Sequence, residues 1–177
     1  MEKETREVKV VALMTLPRLN FTDSMISLMN SLVKIRIPML TSQGVFWGQK
    51  MDGLIRQAIS SGYDYAVTID YDSVFETPDL LNIIQTIIKN PEWTAICPLQ
   101  VRRKSQEILG VILEEDNKTP LKTPIDWDNF YKKEVHPVLF GHFGLTVINL
   151  NHLKDITGPL FKEIPTDIPN EPWKAGQ

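Results

Sequence analysis

Short apolar runs alternating with amphipathic helical patterns constrain this chain more than any other feature. "VKVVALMTL", Val8 to Leu16, is rich in β-branched residues and stops at Pro17, which reads as a buried strand. "FTDSMISLMNSLVK" follows with apolar residues at 21, 25, 28, 29 and 32, a helical spacing, with Thr22 or Asp23 as its cap. "IPMLTS" is a short second strand. "GQKMDGLIRQAISSG" then places Met51, Leu54, Ile55, Ala58 and Ile59 on one helix face and ends at Gly62. "YAVTIDYDSVF", Tyr65 to Phe75, is the third strand. In the next helix Thr77 reads as the N-cap, Pro78 sits in the first turn and Asp79 favours the dipole. Leu80, Ile83, Ile84, Ile87 and Ile88 form its stripe, and "TAICPLQV" is a fourth strand. Strands interleaved with helices in this way predict an α/β fold: three layers, αβα, around a mostly parallel central sheet.

After the fourth strand the pattern loosens. Residues 114–137 are polar, proline-punctuated and aromatic, a long connection of the kind that covers a site. "VLFGHFGLTVINLNHLKDI" returns to strand and then helix. Residues 156–177 lack periodicity, and the expectation is one domain over 1–177 with an irregular, truncated-looking C-terminal segment. No 18-residue apolar run predicts a membrane span. The net charge of −3 argues against a protein that grips nucleic acid mainly through its phosphates. Cys97 has no second cysteine to pair with, and the charged start "MEKETREVKV" lacks the apolar core of a secretory signal. A reducing, cytoplasmic location is therefore expected. Without a signal, the glycosylation patterns at Asn20 and Asn117 read as chance.

The third strand runs into two aspartates, Asp70 and Asp72, one residue apart. Side chains two apart on a strand share a face, so two like charges would lie close together. In an open α/β sheet, ligands bind beyond the C-terminal strand ends, where these carboxylates fall. Hard carboxylate oxygens suit Mg²⁺ or Mn²⁺, ions that bind one or two carboxylates together with substrate phosphates. The plain alternative is that Asp72 faces water while Asp70 bonds nearby amides.

"YAVTIDYDSVFETPDLL" resembles the Asp-x-Asp segment of nucleotide-diphospho-sugar transferases of the glycosyltransferase-A fold, especially bacterial and phage family-2-like members. The resemblance spans roughly Val8 to Asp155. It takes in "TLPR" after the first strand, the helix "GQKMDGLIRQAI", and "FGHFGLTVINLNHL", similar to the family's Gly-x-Gly segment. It implies a metal-dependent glycosyltransferase that uses a nucleoside-diphosphate sugar donor and an unknown glycan, lipid or protein acceptor. By the same resemblance Asp72 would ligate the Mn²⁺ or Mg²⁺ on the donor diphosphate, and Asp70 would contact the ribose or a metal-bound water. Thr15, Pro17 and Arg18 would lie against base and ribose. Where many relatives carry Arg-Asn, this chain has Met51-Asp52 preceded by Lys50; Lys50 and Asp52 are the candidate donor contacts there, with Lys50 supplying the missing positive charge or standing solvated.

Other residues are chosen on chemistry and place alone. Arg102, Arg103 and Lys104 follow the fourth strand on the ligand side, and Arg103 is a candidate phosphate contact against a merely solvated loop. Gly141 and Gly144 would let backbone approach a sugar or form a bulge. His142 reads as an acceptor-site or metal residue, or as packing. Trp127, Phe130 and Tyr131 would stack on a sugar or anchor their loop. No motif selects a general base among Asp155, Glu163, Asp167 and Glu171. That leaves a non-catalytic sugar-nucleotide-binding domain as the alternative. A sugar nucleotidyltransferase is disfavoured, because "TLPRLNF" has no glycine-rich phosphate loop.

Overall fold

The computed structural model describes residues 7–16, 21–44, 46–100, 108, 110–114, 116–121 and 125–161. The main sheet has five strands in the order β2-β1-β3-β7-β4. These are β1 (Val10–Leu16), β2 (Met39–Gln43), β3 (Tyr65–Ile69), β4 (Ala95–Ile96) and, much later, β7 (Leu145–Asn149). β1 pairs parallel with both β2 and β3, whereas β7 runs antiparallel between β3 and β4. The architecture is therefore α/β with a mixed sheet, and what the helix–strand alternation did not foresee is that the late strand β7 inserts antiparallel between β3 and β4. Every residue of β3 and of β7 is buried, as expected for strands covered on both faces, whereas edge strand β2 alternates.

Helices α1 (Thr22–Ile35) and α3 (Thr77–Lys89) bury Leu28, Leu32, Leu80, Ile83, Ile84 and Ile87 against one face, together with Ala12, Met14, Val67 and Val147. Helix α2 (Trp47–Ser60) buries Met51, Leu54, Ile55 and Ala58 on the other, with Val11, Leu13, Ala66 and Ile148. Fully burying one such side chain is worth about 1.5–3 kcal/mol, so the two clusters supply most of the cohesion. Among the described residues no helix is long and apolar enough to cross a membrane.

Helix ends depart from expectation in instructive ways. Phe21, not Thr22 or Asp23, is the N-cap of α1. For α3 it is Glu76, whose N–H donates to the Asp79 carboxylate at 3.2 Å, while Thr77 turns its hydroxyl to Ser31. Gly62 follows α2 at φ +77°, the left-handed conformation that glycine accepts without strain.

The run read as one strand from Val138 onward is split. β6 (Val138–Gly141) pairs antiparallel with β5 (Gly110–Ile112) in a separate ribbon, and a turn at His142–Gly144 carries the chain into β7. The helix expected after it is a single 3-10 turn, Leu150–His152. Trp127–Phe130 forms one helical turn, α4, within the long connection.

Candidate functional site

β3 ends at Ile69 because its partner does, Ile69 pairing with Leu145 at the first residue of β7. Asp70 and Asp72 accordingly lie beyond the strand, so strand alternation does not place them. They occupy a turn closed by the Ser73 N–H donating to the Asp70 carbonyl at 3.2 Å. The turn is held against the His142–Gly144 segment. The Asp70 N–H donates to the Gly144 carbonyl at 2.8 Å, and the Ser73 hydroxyl donates to the same oxygen at 2.9 Å. Below it, the buried Thr68 hydroxyl lies 3.0 Å from the Phe143 carbonyl.

Asp70 is half-buried and Asp72 exposed. Burial pushes the Asp70 carboxyl above its ordinary range, and the negative charge of Asp72 adds to the push. His142 and the Trp47 indole N–H, which donates to the Asp70 carboxylate, act in the opposite direction. Trp47 opens α2 and is locked in place by edge-to-face contacts with Phe143 and Phe161, with centroids 5.4 and 5.1 Å away. Periodicity gave no sign of this tryptophan, since the helix pattern begins one residue after it.

His142 is clamped by Gln100. The Gln100 amide donates to the His142 carbonyl at 3.0 Å, while its oxygen lies 3.0 Å from Nδ1, and the Gly144 N–H reaches Nδ1 at 3.1 Å. This packing, rather than space for a sugar, explains both glycines of "GHFG". A Cβ on Gly144 would fall 2.8 Å from His142 Nδ1 and 2.9 Å from Gln100 Oε1. One on Gly141 would meet the Cys97 sulfur at 2.6 Å.

Among the remaining expected residues, Thr15 is buried near the end of β1, paired in register with Ser42. The Lys50 side chain folds back across Gly44, just beyond the C-terminal end of β2 and so at the end of the sheet that also carries Asp70. Asp52 is committed elsewhere. Its carboxylate bonds Arg56 at 2.9 Å and accepts the Leu160 N–H at 2.9 Å, while Arg56 donates to the Ile156 and Gly158 carbonyls. Burial would raise the Asp52 carboxyl, but Leu160 and Arg56 outweigh it and hold the group below its ordinary value. This residue straps the chain at 156–160 onto α2. Pro17, Arg18 and Arg103 lie outside the described residues, as do Glu163, Asp167 and Glu171.

Asp72 stands at the edge of a cleft of about 840 Å³ between α3, the segment after β4, and the β5–β6 ribbon. Asp79, Asn82 and Thr86 of α3 line it, together with Gln100, Tyr131, Phe140 and His142. Phe130 and His136 stack at 3.9 Å, and Trp127 packs edge-on to Phe130, so the aromatic loop is anchored to itself. Among the described residues no group of three His, Cys, Asp or Glu side chains stands close enough to hold a metal ion by itself. The turn itself carries two carboxylates, Asp70 and Asp72.

No family model and no curated protein matches the sequence. In three dimensions the chain is similar to A197 from STIV, with a TM-score of 0.55 and 16% identity over 86% of this chain and 71% of that one. At that identity the likeness is one of α/β fold alone.

Proposed function

We propose that this chain is a metal-dependent glycosyltransferase. It binds a nucleoside-diphosphate sugar through Mn²⁺ or Mg²⁺ at Asp70 and Asp72 and passes the sugar to an acceptor in the adjoining cleft. The observation that carries the reading is the carboxylate pair in a pinned turn at the C-terminal end of the sheet. Burial and the Asp72 charge make an ionised Asp70 unfavourable, and a divalent cation relieves both. Two carboxylate ligands are few, but they fit Mg²⁺ and Mn²⁺, which complete their shells with phosphate oxygens and water. Bound there, the ion would supply positive charge to the departing diphosphate.

The chain's own residues have separate tasks. The Trp47 indole and the Gly144 carbonyl orient Asp70 and its turn. Lys50, across Gly44, offers positive charge on the donor side. Among the described residues the carboxylates lining the cleft are Asp72, Asp79 and Glu134. Since Asp79 caps α3, Glu134 is assigned the acceptor hydroxyl's proton.

The test is thermal unfolding with a panel of nucleoside diphosphates, with and without Mn²⁺, beside Asp72→Asn. Ligand at ~100 times its dissociation constant adds ~2.7 kcal/mol. At roughly 2–4 °C per kcal/mol, the midpoint should rise several degrees with one nucleotide, only with Mn²⁺, and not in the variant. No shift with any nucleotide would overturn the donor site. A shift without release of nucleoside diphosphate from any donor sugar would leave a binding domain in place of an enzyme.

A further inference from the structure

Helix α1 has two kinds of surface. Leu28 and Leu32 are buried, yet Ile26, Met29 and Val33 are 54%, 59% and 71% exposed. Their spacing of three and four residues makes a continuous outer stripe. Thr22, Asp23, Asn30 and Lys34 flank it, all exposed. Beside the stripe, an apolar groove of about 360 Å³ runs between Leu28, Leu32 and Val33 of α1 and Ile37, Pro38 and Met39 at the start of edge strand β2.

We propose that a second copy of this chain covers this face, with the two α1 helices packed antiparallel about a two-fold axis between Met29 and Asn30, so that the two Met29 side chains lie beside it. The order of residues selects that occupant, because it is nearly palindromic in chemistry. Asp23, Ile26, Met29, Val33 and Arg36 read acid, apolar, centre, apolar, base. Reversed against itself, the helix sets Ile26 over the partner's Val33 and Asp23 over the partner's Arg36. The acid lies in the first turn of α1, with Lys34 in the last turn and Arg36 as the C-cap, so side-chain charges and helix dipoles are complementary in the same orientation. Ile26 of each copy then lies at the mouth of the other's groove.

The surface suits a dimer too. Ile26, Met29, Val33 and Met39 are 54%, 59%, 71% and 37% exposed, an apolar centre for an interface whose standard size is ~800 Å² per partner. The flanking polar residues supply a rim for the rest.

Sedimentation velocity of the full chain over a concentration series tests this. The expected result is a reversible dimer at tens of micromolar. Met29→Glu, which sets two like charges together beside the axis, should yield monomer with an unchanged unfolding midpoint measured at monomeric dilution. Asp23→Arg or Arg36→Asp alone should each raise the dissociation constant roughly tenfold, and the two together should restore it. A monomer at every concentration, or a dimer indifferent to Met29→Glu, overturns the proposal. So does a monomer that binds phospholipid vesicles through Ile26, Met29 and Val33, which would make the stripe a lipid-facing surface.

Discussion

Asp70, with its carboxyl raised by burial and by the Asp72 charge, holds its proton more tightly in the folded chain than in the unfolded one. Stability therefore falls as pH rises through the ordinary carboxyl range toward the raised folded value, and the whole penalty is present above it. Asp70→Asn in metal-free protein should accordingly unfold at a higher temperature than wild type near neutral pH. That advantage should vanish at about pH 3, where both states carry the protonated acid. Thermal unfolding in chelator across pH checks this, and an equal midpoint at neutral pH would mean that the carboxylate is already compensated. The sequence made this residue legible through its chemistry, two carboxylates after an apolar strand. It could not reveal Trp47 or Gln100. Each acts on the site from a segment distant in sequence, through one hydrogen bond or one clamp that leaves no periodic trace.

At the scale of elements, the three long helices were legible because each has an unbroken apolar stripe of its own. β1 and β3 were legible because burial on both faces leaves a solid apolar run. The sheet's direction was harder to read. "VLFGHFGLTVIN" reads as one strand, but Gly141, His142 and Gly144 pack against Cys97 and Gln100 and turn the chain between two sheets. β4 has only two paired residues, so its apolar composition overstated its length. The contact between β6 and the segment after β4 can be tested directly. Gly141→Ala pushes a methyl into the Cys97 sulfur and should cost about 1–3 kcal/mol. Adding Cys97→Ala should recover most of that loss, which denaturant unfolding of the single and double variants would reveal as strong coupling. Additive effects would mean that the glycine serves some other purpose.

The cleft belongs to the whole molecule. It exists because α3, the segment after β4 and the β5–β6 ribbon come together across more than sixty residues, from Asp79 to His142. No local pattern announces such a space; the sequence offered only the polar, aromatic connection that borders it. If acceptor chemistry occurs there, Glu134→Gln should lower turnover by about 10²–10⁴-fold while leaving the nucleotide-dependent rise in unfolding midpoint intact. A variant with normal turnover would remove Glu134 from the reaction. The antiparallel β7 also bears on how the chain is made. Among the described residues β4 pairs only with β7, which starts about fifty residues later, and β3 takes β7 as its second neighbour. A chain emerging from the ribosome can join β1, β2 and β3 early, but it must carry β3's apolar edge bare until Asn149 has been synthesised. The centre of the sheet closes last, so a chain that stalls before Leu145 is the species most prone to pair its open edge with another nascent chain.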